Sequence, residues 1–235
     1  TGFDMTFDWW QIKLQDVISG VGGSEVLNEC YLEGNANACQ LVTRAAGGQI
    51  TQLIEASLNR GNRTVEGYDL TVNYRLPRTA FGTFSATWDT TYMEKFLDSD
   101  GSNLIGQYFD RDNYCRLRSN LNVRWEMGDF GATWGARYYD KQTESCADMS
   151  NSGFGDRCSM DDTQNGDNAR NKLGATTYHD VSVYWKAPWK GRVTLGVNNI
   201  NAKNPPTSYS TFANSFDPAY EIPGRFFYLR YSQSF

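Results

Sequence analysis

The sequence contains no long apolar run. Nowhere in its 235 residues do apolar residues continue for anything near the roughly 18 positions that a membrane-spanning helix needs. This absence leaves membrane strands open, because a strand that faces lipid on one side carries polar residues at every second position. The pattern of alternation is therefore more informative than overall hydrophobicity.

Catalytic motifs are also missing. The chain has no GxSxG, Walker or HExxH sequence. Its one histidine, His179, stands at the start of a predicted strand beside Asp180, where a hydrogen-bonded role is commoner than catalysis. A net charge of −5 without a basic cluster gives no reason to expect nucleic acid binding. We expect a protein that is not an enzyme and has no cofactor or metal.

Cysteines are few, and four of the five fall into two close pairs. Cys30 and Cys39 lie in one long connection, and Cys146 and Cys158 lie in another. Each pair would close a short loop, which predicts two disulfides in an oxidising compartment. The alternative is a metal site, but the spacings are wider than those of zinc motifs. Cys115 is left over, and we interpret it as a free thiol.

What the sequence does contain is alternation of apolar and polar residues. In the first such segment Phe3, Met5 and Phe7 share one face, and Asp4 and Asp8 lie on the other. Alternation with a period of two predicts a strand with one apolar and one polar face. Eight segments show it, at residues 3–10, 68–76, 84–92, 117–125, 130–139, 180–186, 193–198 and 227–235.

The connections between these segments alternate in length. The short ones carry turn residues and lie at 77–81, 127–129 and 187–190. The long ones lie at about 17–64, 95–114, 141–176 and 201–224. Antiparallel strands with tight turns at one end and long loops at the other indicate a transmembrane β-barrel. In bacterial barrels the short turns face the periplasm, so both ends of this chain are expected there.

Large aromatic residues recur on the apolar faces. The chain has seven Trp, 14 Tyr and 13 Phe, and amphipathic rings favour the depth of the lipid headgroups. A soluble sandwich also alternates, but the polar faces here are charged and need water, as a wide lumen provides. We predict an all-β transmembrane antiparallel β-barrel with an aromatic girdle of Trp9, Trp88, Tyr92, Trp125, Tyr138 and Trp185.

The long connections allow local predictions. Residues 24–32 predict a short helix with Ser24 as N-cap, and residues 41–55 predict a hairpin about the Gly47–Gly48 pair. Residues 98–103 carry oxygen ligands without the spacing of a calcium loop, so we predict a surface turn. Another polar stretch contains Asp156, Asp161, Asp162 and Asp167. We interpret this stretch as a solvated loop rather than a calcium site.

The C-terminal part carries a recognisable signature. GVNNINAKNPP at residues 196–206, followed by DPAYEIPGRFFYLRYSQSF at residues 217–235, closely resembles the ending of TonB-dependent outer-membrane receptors. Earlier stretches resemble strands of the same family in the same order: FDMTFDWWQIKLQDVI at 3–18, TVEGYDLTVNYRLP at 64–77 and RLRSNLNVRWEMGDFGATWGARYYDK at 116–141. The resemblance spans nearly the whole chain.

This resemblance implies a barrel of about 22 strands with a plugged lumen, of which residues 1–235 would supply the last eight or so strands. The plug domain would lie outside this chain. The resemblance also implies an outer-membrane receptor that binds a scarce ligand, such as a siderophore or carbohydrate, and imports it with energy from TonB. The implied partners are outer-membrane lipid, the remainder of the receptor, the TonB system and an unidentified small molecule.

Two positions depart from the family's pattern. Ala202 stands where the motif before the final loop prefers Asp or Asn, which implies that a turn hydrogen bond is missing. Gln233 interrupts the alternation of the barrel-assembly signal, which by resemblance consists of Phe227, Leu229, Tyr231 and Phe235.

Several alternatives remain. Eight strands can close a small barrel, but its lumen would be barely wide enough for side chains such as Trp10 and Arg124. We therefore expect the first and last segments not to pair with each other. A passive porin, an adhesin barrel and a secreted carbohydrate-binding β protein are the other possibilities.

Overall fold

A computed structural model of the chain describes residues 2–59, 61–98, 101–109, 112–151, 153, 155–159, 169–209, 219–221 and 224–234. The chain divides into two compact units. The larger, which we call the wall unit, comprises Thr1–Gln11, Val65–Phe96 and Asn103–Phe235. The smaller, which we call the loop unit, comprises Ile12–Thr64 and Leu97–Ser102. No helix in the described part of the chain is both long and apolar enough to cross a membrane.

Eight long strands form one sheet, which we call the wall. The order of these eight strands across the sheet is the same as their order along the chain. Every pairing from the third strand to the eighth is antiparallel. The strands are β1 (Phe3–Gln15), β2 (Asn62–Arg75), β3 (Thr83–Leu97), β4 (Leu117–Met127), β5 (Phe130–Tyr139), β6 (Thr176–Lys186), β7 (Gly191–Asn198) and β8 (Phe226–Gln233).

Each predicted segment corresponds to one of these strands, and the all-β prediction is confirmed. Several strands continue further towards the long loops than predicted: β2 begins at Asn62, β3 continues to Leu97 and β6 begins at Thr176. These extensions lack regular alternation in the sequence. The extensions include buried residues, among them Glu66, Thr176 and Tyr178. Because polar and apolar side chains alike are buried there, no alternation with a period of two marks these strand ends.

Tight turns join β2 to β3, β4 to β5 and β6 to β7, as predicted. In the first turn Thr79 and Gly82 exchange two backbone hydrogen bonds, of 3.0 and 3.2 Å. Gly82 has φ +104°, and a Cβ there would collide with the carbonyl oxygen of Glu126. Glycine is therefore required at this turn, both for its backbone conformation and for its lack of a side chain.

The loop unit contains two short helices, α1 (Gly23–Tyr31) and α2 (Ala36–Cys39). The prediction of α1 is confirmed, but Ser24 is not its N-cap. Gly22 occupies that position and has no side chain to cap the helix, but the first N–H of the helix, that of Gly23, donates to Oε1 of Glu55 at 2.9 Å. The side chain of Asn35 caps α2 by accepting hydrogen bonds from the backbone N–H groups of Asn37 and Ala38.

The predicted hairpin is also present in the loop unit. Its strands, Val42–Arg44 and Ile50–Leu53, pair antiparallel on either side of a turn that contains Gly48 at φ +87°. That positive φ explains why a glycine pair marks the turn. A second pair of short strands, Ile18–Val21 and Ala56–Asn59, is also antiparallel.

The long loops of the wall unit carry a second, four-stranded sheet. Its strands in spatial order are Arg170–Leu173, Gln142–Ser145, Gln107–Phe109 and Asp112–Asn113. Helix α3 (Cys146–Asn151) follows one of these strands. Most of the unit's buried apolar side chains lie in these loops or the adjoining strand ends, among them Leu104, Ile105, Tyr108, Met149, Leu173, Tyr178 and Tyr220.

Candidate functional site

The register of the wall strands separates an apolar face from a polar face. Leu121 of β4 lies opposite Trp88 of β3 and Ala136 of β5, so these three side chains share one face. The next residue, Asn122, lies on the other face opposite Thr87. The apolar side chains of β1 are open to their surroundings, as expected: Phe3 is 55% exposed, Met5 58% and Phe7 61%.

The six predicted girdle aromatics all lie on this apolar face, and several have their polar atom satisfied. The indole Nε1 of Trp88 donates to Ser119 Oγ at 2.7 Å. The indole Nε1 of Trp125 donates to the carbonyl oxygen of Phe81 at 2.6 Å. Rings with an anchored polar atom and an open apolar body suit a membrane–water interface. Their role as a girdle stays a prediction.

The two outermost strands of the wall are β1 and β8. Within the described residues no pairing joins them, so the sheet is open and each has one unpaired edge. The expectation that the first and last segments do not pair with each other is confirmed.

The polar face is ordered by hydrogen bonds between side chains on neighbouring strands. Such cross-strand pairs stabilise a sheet on the face where both partners lie. The polar face therefore has a defined arrangement rather than a set of freely moving polar groups. Three pairs join β2 to β3: Thr91 to Asp69 at 2.6 Å, Thr87 to Asn73 at 2.9 Å and Thr71 to Asp89 at 3.0 Å.

Two glycines on the polar face make room for tyrosine rings. A Cβ on Gly131 of β5 would collide with the ring of Tyr184 of β6, its direct partner across the sheet. A Cβ on Gly196 of β7 would likewise collide with the ring of Tyr228 of β8. Each ring lies against the backbone of the next strand because its partner has no side chain.

Positive charge gathers around one of these rings. The guanidinium carbon of Arg192 lies 3.7 Å from the ring centre of Tyr184. Arg124 and Lys186 each have their charged group 5.8 Å from the same ring centre. The hydroxyl of Tyr184 donates to Glu126, which also forms a salt bridge with Arg124 at 2.6 Å. Such cation–π contacts explain how one tyrosine accommodates three cations.

A second charged cluster ties the wall to the loop that precedes β8. Arg137 of β5 binds Asp180 of β6 at 3.0 Å and Glu221 of that loop at 2.8 Å. Asp180 also accepts a hydrogen bond from the backbone N–H of Asn199 at 2.8 Å. The loop is thus held to the wall at several points, which include Asn199, Glu221 and Ile200, whose N–H donates to the carbonyl oxygen of His179 at 2.8 Å.

A buried carboxylate organises the loop sheet. Glu144 is 1% exposed and accepts hydrogen bonds from Asn171 Nδ2 and Ser208 Oγ, both at 2.6 Å. Its Oε2 also accepts from the backbone N–H of Tyr209 at 3.1 Å. Three separate segments of the chain therefore meet at Glu144. This residue was not among those predicted, because a single glutamate in a polar stretch gives no signal of burial.

The cysteines are paired as predicted. Cys30 joins Cys39 with Cα atoms 4.7 Å apart, and Cys146 joins Cys158 with Cα atoms 5.7 Å apart. Both separations suit a disulfide. Cys115 is free and buried, and its thiol donates to the carbonyl oxygen of Leu117 at 3.2 Å. Burial raises the pKa of the Cys115 thiol, because the thiolate would lose its hydration.

The acidic stretches form no metal site in the part of the chain that the structure describes. The backbone carbonyl oxygen of Asp98 accepts a hydrogen bond from the N–H of Gly101 at 2.9 Å, which agrees with the predicted surface turn. The carboxylate of Asp98 forms a salt bridge with Arg63 at 2.8 Å. Residues 160–168, which include Asp161, Asp162 and Asp167, lie outside the described residues. His179 stacks on Trp134 with ring centres 5.7 Å apart.

The C-terminal strand is exposed on its apolar face. Phe227 is 68% exposed, Leu229 69% and Tyr231 51%, whereas Phe235 lies outside the described residues. Gln233, which breaks the alternation, donates to the carbonyl oxygen of Trp189 at 3.0 Å and so ties β8 to the turn between β6 and β7. The assembly role of this segment stays a prediction.

Ala202 lies in a left-handed conformation at φ +50°. Its N–H donates to the carbonyl oxygen of Asn199 at 2.8 Å, so the backbone bond of the turn is present. What alanine lacks is a side-chain acceptor, and Asn or Asp would also adopt this φ more readily. Asn199 closes the turn from the other side, since its side chain exchanges two hydrogen bonds with the backbone of Lys203.

Comparison with known proteins agrees with this architecture. A family model described as TonB dependent receptor-like, beta-barrel matches residues 1–200. No curated protein sequence matches the chain significantly.

Three similar solved structures are transport proteins. The FrpB iron transporter from Neisseria meningitidis has a TM-score of 0.57 and 16% identity over 97% of this chain. The copper transporter OprC has a TM-score of 0.54 and 15% identity over 98%. A mutant ferric enterobactin receptor, PfeA, from Pseudomonas aeruginosa has a TM-score of 0.58 and 17% identity over 100%. At these identities the likeness shows the fold alone.

The chain spans 28% of the length of FrpB and of OprC, and 29% of that of PfeA. An open wall of eight strands is what such a share of a large barrel contains. The match of the family model extends over most of the chain, from β1 through β7. The chain belongs to the family of TonB-dependent receptor-like β-barrels, and it forms a partial barrel.

Proposed function

We propose that this chain is part of an outer-membrane receptor that binds a scarce extracellular ligand and passes it to the periplasm with energy supplied through TonB. The observation that carries the proposal is the open, two-faced wall. One face exposes large apolar side chains and the other is lined with charged and hydroxyl groups. This arrangement fits a segment of a wide barrel between lipid and a hydrated lumen.

The unpaired edges extend the proposal to the rest of the receptor. We infer that β1 pairs with a preceding strand and that β8 pairs with the first strand of the same barrel, both outside residues 1–235. A plug domain in the lumen and the segment that contacts TonB would likewise lie outside this chain. The apolar face, with its six aromatics, would lie in the lipid of a bacterial outer membrane.

We propose the transported ligand by its chemical class. The solved structures that share the fold are named as iron, copper and ferric enterobactin transport proteins, which favours a metal ion or a metal chelate. A carbohydrate is the other class that we carry forward from the sequence. In both cases the ligand is transported unchanged, so the proposal assigns no catalytic residue.

Uptake measurements test this proposal. Bacteria that produce the whole receptor, and a strain that lacks it, would be given radiolabelled ferric siderophores, copper and oligosaccharides at low concentration. We expect one class to be accumulated only by cells that have the receptor. Collapse of the proton gradient should abolish that accumulation, because TonB transmits energy from the inner membrane.

A passive porin is the second candidate. Its uptake would continue after collapse of the proton gradient and would not saturate at low ligand concentration. The charged polar face is compatible with a water-filled pore, which is why this candidate is retained. A small self-contained barrel is less well supported, because the described residues of β1 and β8 form no ladder.

A further inference from the structure

The cations around Tyr184 form a local patch of positive charge on the polar face. We define the cationic patch as Arg124, Lys186, Arg192 and Arg230. The first three surround the ring of Tyr184 at 3.7 to 5.8 Å. Arg230 lies in the same row, because Tyr184 is opposite Thr194 and Thr194 is opposite Arg230.

The carboxylate that the structure places against the patch is Glu126. It bonds Tyr184 and Arg124, so it compensates one of the four positive charges. The side chains of Arg124 and Glu126 are still 46% and 40% exposed, and Lys186 and Arg230 are exposed as well. The patch is therefore accessible from the lumen side and carries more positive than negative charge.

The rest of the polar face has a more balanced charge. On β1, β2 and β3 it carries the carboxylates of Asp4, Asp8, Asp69 and Asp89 together with Arg75, and on β5 Arg137 is neutralised by Asp180 and Glu221. The four cations of the patch thus form a local excess of positive charge, close to the tight turns that join β4 to β5 and β6 to β7. These turns lie at the end of the wall opposite the long loops, which in such barrels is the periplasmic end.

We propose that the cationic patch docks an acidic surface of a polypeptide that lies in the lumen and presents at least two carboxylates to it. Clustered like charges repel unless an anionic partner is present, and charge complementarity gives such contacts their specificity. The patch draws on four strands, β4, β6, β7 and β8, which is wider than a single small anion needs. It also lies far from the long loops, through which a ligand would enter.

This inference rests on the proposed function, because barrels of about 22 strands have a plugged lumen and the plug is the polypeptide available there. It adds the chemistry of one contact. The surface of the plug that faces β4 and β6 to β8 is acidic near the periplasmic end. The cationic patch binds this acidic surface and fixes the position of the plug against the wall.

Zero-length cross-linking tests the contact directly. The whole receptor, purified in detergent, would be treated with a water-soluble carbodiimide, which joins a lysine amine to a carboxylate that it touches. We expect Lys186 to be joined to Asp or Glu residues outside the wall strands. Lys190 is the matched control, since it is also exposed and lies four residues away in the adjoining turn. It should give about tenfold less of this product.

Charge reversal provides a second readout in cells. The double variant Lys186→Glu, Arg192→Glu should loosen the plug and raise the entry of a large hydrophilic antibiotic such as vancomycin. Arg78→Glu, an exposed cation in the turn between β2 and β3, should leave entry unchanged. Equal amounts of heat-modifiable protein in the outer membrane would show that both variants fold.

Four results would overturn the inference. Lys186 could be joined only to Glu126. Lys186 could also give no more of the cross-linked product than Lys190 gives. Inorganic phosphate could bind at the patch and abolish the cross-link, which would assign the patch to a small anion. Charge reversal could leave antibiotic entry unchanged. Energised uptake, measured separately, would remain intact if this inference alone fails and would be absent if the proposed function fails.

Discussion

Arg137 and Asp180 form a two-point ion pair across the polar face, with Nε to Oδ2 at 3.0 Å and Nη2 to Oδ1 at 3.2 Å. The two residues are not directly opposite each other. Arg137 lies opposite Tyr178, and Asp180 lies opposite Gly135. The pair is therefore diagonal. The space beside Gly135 is taken by the side chains of Asn122 and Asp180, which a Cβ there would meet at 3.1 and 3.8 Å.

The first prediction concerns this pair. Asp180→Asn removes the charge that Arg137 binds and weakens the acceptor for the N–H of Asn199. Both side chains of the pair are about a quarter exposed, so the expected loss of stability is modest, about 1 kcal/mol. The local effect should be larger, because the loop before β8 loses one of the contacts that hold it to the wall, the bond from the N–H of Asn199. Hydrogen exchange at residues 199–203 should become faster.

Asp89→Asn is the control for this prediction. Asp89 is also a carboxylate on the polar face, but its contact is with Thr71 of the neighbouring strand. Exchange at residues 199–203 should not change in this variant. If Asp180→Asn and Asp89→Asn gave the same exchange rates there, the role of Asp180 in holding the loop would be wrong.

The wall could be predicted from the sequence because its two faces differ in polarity. A strand between lipid and water must alternate, so the residue types at Leu121 and Asn122 are enough to indicate which face each one occupies. The glycine at position 82 likewise indicates a turn in the sequence, because the backbone there leaves no room for a side chain. The extra length of β2 and β6 could not be predicted, because polar and apolar side chains alike are buried there, as Glu66 and Tyr178 show.

The clusters in the loops were beyond prediction for another reason. Glu144 meets Ser208 across 64 positions of the chain, and nothing in either local sequence indicates the other. The same holds for Arg137 and Glu221. Contacts of this kind depend on how loops fold back on one another, so a single sequence shows the residues without their partners.

The second prediction concerns Glu144. Glu144→Ala leaves the side chains of Asn171 and Ser208 without their buried acceptor, at a cost of about 2–3 kcal/mol. The loop sheet should open locally, and the loops should become sensitive to protease while the wall stays intact. Glu33→Ala, an exposed glutamate of the loop unit, is the control and should not alter cleavage of these loops. Equal cleavage in the two variants would contradict the prediction.

The third prediction concerns the cysteines. Cys115 is 3% exposed, and burial raises its pKa, so at a given pH less of it is the reactive thiolate. An alkylating reagent at pH 8 should modify it only after unfolding. An exposed reference thiol, Ala175→Cys, should react at once under the same conditions. Without reductant the other four cysteines should not react, and peptide mapping that gave Cys115 a disulfide partner would overturn the pairing.

The fourth prediction tests which face of the wall meets lipid. Leu121→Arg places a charge on the apolar face, in the row that contains Trp88 and Ala136. If this row lies near the middle of the bilayer, the variant should lose about 2–4 kcal/mol of folding free energy, because a guanidinium there is taken out of water. The measurement is reversible folding of the whole receptor into phospholipid bilayers, followed by denaturant titration.

Asn122→Arg is the matched control for this last prediction, because the same charge is added one residue away on the same strand. Asn122 lies on the polar face and is exposed. The substitution should change the folding free energy by less than about 1 kcal/mol, since the arginine stays in the hydrated lumen. The comparison removes the effects of strand propensity and side-chain size, which both variants share. If both variants lost the same stability, the two faces would be equally buried, and the apolar face would not be the one in lipid.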